Sequence, residues 1–220
     1  MNNRYSESKL FPIEAGREER GWVSVKKECE NLSEWGYKLL YENLKGSVRT
    51  VVLEPDYICK DHKNLFSQFY SKKFSVPSPF TCRLHFFSDQ IKNIQELLYY
   101  SEKYSDKYLG YSIIREVSER CIGRTVINPH VINSGADGNF YYMLTEFAVH
   151  LNGAKFKVQG FPYTSQDVDV TVCAHSALWA ICRYLSERYT LYSEVYPFDL
   201  VRMTGTARGR TFPYRGMTYA

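Results

Sequence analysis

Six cysteines occur in this chain, and one of them, Cys173, stands where a thiol can act as a nucleophile. Residues 172–188 carry the clearest helical pattern in the sequence, with Thr171 or Asp169 as the expected N-cap. Cys173 therefore falls in the first turn, where the positive end of the helix dipole favours a thiolate. Ala174, Ser176 and Ala177 follow it and are small enough for a substrate to come close. The stripe Ala174, Leu178, Ile181 and Leu185 is predicted to face the core, leaving Cys173 at its edge. The competing reading makes Cys173 a packing residue, as free cysteines in amphipathic helices commonly are. Cys182, nine residues on and about 180° around the helix, is assigned to the core. Cys29, Cys59, Cys82 and Cys121 are widely spaced, and the chain has no C-x-x-C pair. The pattern points to neither a zinc ribbon nor a thioredoxin-type site, and it calls for no metal and no cofactor.

The run from Gln166 to Trp179 has a glutamine, then seven positions later a cysteine that opens a helix, then small residues and an aromatic. It resembles the nucleophile segment of papain-like cysteine peptidases, and the likeness covers that run alone. The resemblance implies an α+β fold in which the nucleophile helix packs on an antiparallel sheet. It also implies a peptidase or isopeptidase acting on a protein or peptide substrate. In that scheme Cys173 attacks a carbonyl carbon, its own N–H and the Gln166 side chain hold the oxyanion, and a histidine is the base. The Gln166-to-Cys173 spacing is one residue longer than the family's pattern, and the Gly-Ser that precedes the family's thiol is absent. The family places its histidine on a strand after the cysteine, yet the last histidine here is His175, about 200° around the helix from Cys173. Three arrangements stay open: a base beyond Ala220, a permuted domain whose base is His150 on the strand predicted over 140–151, or an inactive relative. His130, in a loop after Pro129, is a poorer base, and His62 and His85 are read as structural.

These residues need elements to hold them. Residues 1–20 are polar and acidic and are expected to form a flexible arm. Helices are predicted over 33–44, 63–74 and 91–104, and strands over 48–53 and 82–87, which together suggest an α/β recognition or regulatory subdomain over 21–108. From residue 109 the texture turns β-rich. Strands are expected over 111–117 and 125–127, and Asn152-Gly153 marks a hairpin between 140–151 and 154–158. Residues 109–220 are thus expected to be the papain-like core. That core looks cut short, because Thr218 would cap a helix that does not follow.

With 44% hydrophobic and 24% charged residues the chain has the balance of a globular protein, and collagen-like or low-complexity classes are excluded. No signal-peptide pattern and no apolar run of about 18 residues is present, so the expectation is a cytoplasmic protein with reduced thiols and no membrane. Nineteen tyrosines favour half-wet grooves and leave room for a protein partner on a Tyr-rich surface. The net charge of +4 is too small to argue for nucleic acid by itself, although Arg202, Arg208, Arg210 and Arg215 follow the last acidic residue, Asp199. A nucleic-acid or nucleotide binder is therefore a lesser alternative. Gly123-Arg124-Thr125 and the Gly205–Arg210 loop lack the Gly-Lys-Ser/Thr of a Walker loop. Glu116 and Glu119 are read as solvated partners of Arg115 and Arg120.

Overall fold

The computed structural model describes residues 7–117, 119–133, 143–167, 169–171 and 173–203. The chain begins with β1 (Lys9–Pro12) and α1 (Glu18–Glu28), so the expected arm over 1–20 is corrected: Lys9 to Pro12 pair with the second strand, and Ile13 is fully buried. Apolar Leu10, Phe11 and Ile13 drive this, although the acidic residues around them hide the signal in a composition average. Next comes α2 (Glu34–Leu44), where the Ser33 hydroxyl accepts the Gly36 N–H as an N-cap. β2 (Thr50–Tyr57) runs through Pro55 rather than stopping there. The register breaks between Glu54 and Tyr57, and Asp56 has a φ of 51°, so the proline sits in a bulge where no ladder N–H is required.

The chain continues through α3 (Lys60–Gln68), β3 (Thr81–Phe87), α4 (Ile94–Tyr99), α5 (Ser101–Ser105), β4 (Tyr108–Ile114) and β5 (Ile122–Ile127). Strands β1 to β5 form one antiparallel sheet in sequence order. Alternation along β2 and β3 sends Val51, Leu53, Leu84 and Phe86 to one face, where they bury Trp22, Val25, Leu40 and Leu44 of α1 and α2. Val52 and Phe87 point to the other face. There they meet Leu97, Tyr104, Tyr108 and the apolar residues of a separate hairpin, β6 (Thr145–Leu151) and β7 (Ala154–Gly160). The hairpin turn is Asn152-Gly153, with φ of 46° and 92°, as the dipeptide predicts. Gly110 is required in β4: a Cβ there would lie 2.2 Å from the Val126 carbonyl oxygen.

The expected division at 108/109 falls inside β4, a strand hydrogen-bonded to β3 before it. Segment texture changed there, but hydrogen bonding did not. The molecule ends in α6 (Cys173–Arg188) and α7 (Pro197–Met203). It is an α+β fold, and no helix among the described residues is long and apolar enough to cross a membrane.

Candidate active site

Cys173 is the first residue of α6 and is solvent-exposed, while its neighbour His175 is 1% exposed. Its Sγ donates to the Gln166 side-chain oxygen at 2.7 Å, so the tertiary fold brings together the two residues that the sequence paired. The expected N-caps are engaged otherwise. The Thr171 hydroxyl accepts the Asp167 N–H at 2.8 Å, and the Asp169 carboxylate pairs with Lys73.

Gln166 is held by what comes before it. Arg115, at the end of β4, is 4% exposed, and one of its terminal nitrogens donates to the carbonyls of Arg120, Ile122 and Ser165 and to the Ser165 hydroxyl at 3.0–3.2 Å. The Ser165 N–H and hydroxyl in turn bond the Ile122 carbonyl. The reading of Arg115 as a solvated charge partner is therefore corrected: burial lowers its pKa, and it ties the approach segment of Gln166 to the start of β5. Glu116 accepts the Ser78 N–H instead.

Asp167 is the buried acid of the segment, 3% exposed. One of its oxygens accepts the Asp169 N–H at 2.9 Å and the other is buried without a partner. Desolvation pushes the carboxyl up to about 7, the negative charge of Asp169 adding to it against that single N–H bond. Beyond it, Val170 packs with Leu65, Tyr70 and Val201, so the loop that precedes the thiol is anchored at both ends.

The orientation of α6 departs from the sequence expectation. His175, Trp179, Ala180 and Tyr184 are its buried residues, whereas Leu178 and Ile181 are 41% and 50% exposed. The inner face packs Trp179 and Ala180 on Leu200 and Val195 and also meets charge. Arg124 of β5 grips Asp61 of α3 through two bonds of 2.7 and 2.9 Å and reaches Glu194 at 2.6 Å. The Trp179 indole N–H donates to Asp61 at 3.3 Å, and Arg183 pairs with Glu187. Burial opposes the Arg124 charge, but the Asp61 carboxylate outweighs it and raises the pKa of the guanidinium. Gly123-Arg124-Thr125 is thus a strand whose arginine is committed to carboxylates, and it is not a phosphate loop.

The histidines separate. His150 is exposed on β6, its carbonyl accepting from Arg83, and it pairs in register with Lys155 near the hairpin turn. The contacts joining β6 to α6 involve the opposite ends of both elements. Arg188 donates to the Leu144 carbonyl, and Arg183 lies over the Phe147 ring. No histidine hydrogen-bonds Cys173 among the described residues. His62 bonds the Ser78 carbonyl and His85 bonds Tyr108 and Glu54, both buried, in keeping with their structural reading. The Arg-rich stretch from Gly205 onward and the turn cluster over 134–142 lie outside the described residues. Comparison of the chain with protein-family models, with curated proteins and with solved structures returns no match.

Proposed function

We propose that this chain carries the nucleophile of a cysteine hydrolase of peptidase or isopeptidase type, with a papain-like arrangement of Cys173 and Gln166. The observation that supports it most is the 2.7 Å contact between an exposed thiol at a helix start and the side-chain amide of Gln166, whose neighbours Ser165 and Asp167 are buried. In the reaction the Cys173 thiolate adds to the carbonyl carbon, forming a C–S bond and an oxyanion. The oxyanion takes hydrogen bonds from the first N–H groups of α6, which lack acceptors within the helix, and from the Gln166 amide once it has rotated its NH2 inward. Collapse expels the amine and leaves a thioester, which water hydrolyses. The thiol proton, which here rests against the Gln166 oxygen, is the one the departing amine takes up.

The alternative, a catalytically silent protein-interaction module, draws on the outward Leu178 and Ile181 on the same helix. Two reagents separate the readings. With iodoacetamide near neutral pH, followed by peptide mass spectrometry against the other five cysteines, Cys173 labels first. A peptide acyloxymethyl ketone, whose capture passes through an oxyanion, labels Cys173 roughly 10²-fold more slowly in Gln166→Ala, while iodoacetamide labelling changes little. His150→Ala leaves both rates unchanged. If Cys173 reacts no faster than half-buried Cys182, the hydrolase reading fails and the interaction module takes its place.

A further inference from the structure

An apolar groove of about 280 Å3 lies between α2 and the edge of β5 that faces away from β4. Leu39, Leu40 and Leu44 form its helix wall, and Ile122 and Ile127 come from the strand. The remaining walls are pinned by hydrogen bonds. Ile132 is followed by Asn133, whose backbone N–H and side-chain NH2 donate to the carbonyls of Asn43, Glu42 and Lys45 at 2.9–3.0 Å, around the end of α2. Tyr163 exchanges both of its backbone bonds with Thr125, at 2.8 and 2.9 Å, and so carries Phe161 along the strand edge. Walls held in this way do not close on the space between them, which is far larger than the voids of a packed interior. The polar lining is largely occupied. The Thr125 hydroxyl bonds Ser112 and the Gly123 carbonyl, and the Asn43 NH2 bonds the Leu39 carbonyl, while Phe161 and Tyr163 are 38% and 45% exposed at the mouth.

One end of the groove carries a cation. Trp35, Leu39 and Asn43 stand at i, i+4 and i+8, so the helix wall continues one turn back to Trp35. Arg120 lies over the Trp35 ring at 4.3 Å, and its carbonyl accepts the Ser165 hydroxyl at 2.8 Å, two residues past Tyr163. Arg120 therefore stands where the two walls converge. Unlike Arg49, Arg83, Arg124 and Arg183, it enters no ion pair among the described residues, and the neighbouring Glu34 is paired with Lys26. From this arrangement we propose that the groove binds a medium-chain aliphatic carboxylate, its tail among the leucines and isoleucines and its head at Arg120. Volume sets the length of the tail. At about 30 Å3 per methylene, close to the share of one water, 280 Å3 holds about nine. The helix from Trp35 to Asn43 spans about 12 Å, which matches the reach of an extended chain of that size. Charge sets the head. A guanidinium stacked on an indole keeps its N–H edge free, and a carboxylate takes that edge in two parallel bonds. A neutral alcohol of equal length buries the same tail and forgoes them.

The site does not depend on the reading of Cys173, and its test does not involve hydrolysis. The whole chain is titrated by isothermal calorimetry with straight-chain carboxylates from hexanoate to dodecanoate. Affinity is expected to rise roughly fourfold per methylene and to level off near about ten carbons. Arg120→Gln weakens octanoate about tenfold and leaves 1-octanol unchanged, whereas Ile132→Trp, which fills the groove, removes both. Absence of saturable heat from decanoate on the wild-type chain at millimolar concentration overturns the proposal, as does carboxylate binding that survives Ile132→Trp or ignores Arg120→Gln. Dimerisation of the ligand-free chain that Ile132→Trp abolishes would assign the groove to a second copy instead. Because the chain-length series is read on wild type, a variant that fails to fold does not protect the proposal.

Discussion

At the scale of single residues, the least expected feature is Asp167, a carboxyl buried beside Gln166 with one oxygen unpartnered. Its folded-state pKa of about 7 lies above the ordinary 3.8, so the folded chain holds a proton that the unfolded chain has already released between those values. Stability from this residue is full below about pH 4 and is lost as pH rises to about 7, a difference of roughly 4 kcal/mol. Asp167→Asn keeps the acceptor for the Asp169 N–H and removes the titration, while its buried NH2 gives back roughly 1–3 kcal/mol. The expected outcome is a gain of about 2 kcal/mol at pH 8 and a loss of about 2 kcal/mol at pH 4, read by urea denaturation at both. Equal effects at the two pH values would show that the carboxyl is not neutral in the fold.

At the scale of elements, the helix that presents Cys173 is seated by a charged network as well as by the packing of Trp179 and Ala180 on Leu200 and Val195. Its inner face carries Trp179 and Arg183 into the Asp61–Arg124–Glu194 network, while Leu178 and Ile181 look outward. A buried ion pair deprived of one partner is strongly destabilising because the other charge stays behind. Asp61→Asn leaves Arg124 with Glu194 alone and should cost roughly 3 kcal/mol by chemical denaturation. Leu178→Ser, which contacts less of the fold, should cost under about 1 kcal/mol. A reversed ranking would mean that the helix packs by its apolar stripe after all.

At the scale of the molecule, a second buried polar group joins the sheet to the hairpin. His85 is fully buried between Glu54 and Tyr108, and Arg83 beside it bonds both Glu54 and the His150 carbonyl. Burial pushes His85 down to about 4, despite the Glu54 hydrogen bond that favours its charge. Below pH 6.5 the unfolded chain therefore binds a proton that the folded chain refuses, and stability falls as pH drops from about 6.5 to about 4, by roughly 3 kcal/mol in full. This runs opposite to Asp167 across the same window. Subtracting the pH profile of His85→Gln from that of wild type isolates the slope, and a flat difference would show that the imidazole is not held neutral.

Local chemistry carried a good part of this protein in its sequence. The Ser33 cap, the Asn152-Gly153 turn and the start of a helix at Cys173 each depend on a few neighbouring residues whose backbone preferences are strong. Gln166 and Cys173 were paired by a family resemblance, against a spacing one residue too long, and the fold sets them in contact. Other features needed partners distant in sequence. Lys9 to Pro12 became a strand because β2 offered an edge, the change of texture at residue 108 falls inside β4, which pairs with β3, and α7 went unpredicted because only seven residues, starting at Pro197, form it. The inward face of α6 was misjudged because hydrophobic periodicity scores oil against water and is blind to a carboxylate waiting across the interface. Arg115 and Asp167 were invisible as site residues for the same reason: a charge is buried only where tertiary structure supplies its hydrogen bonds, and no pattern along the chain records who those partners are.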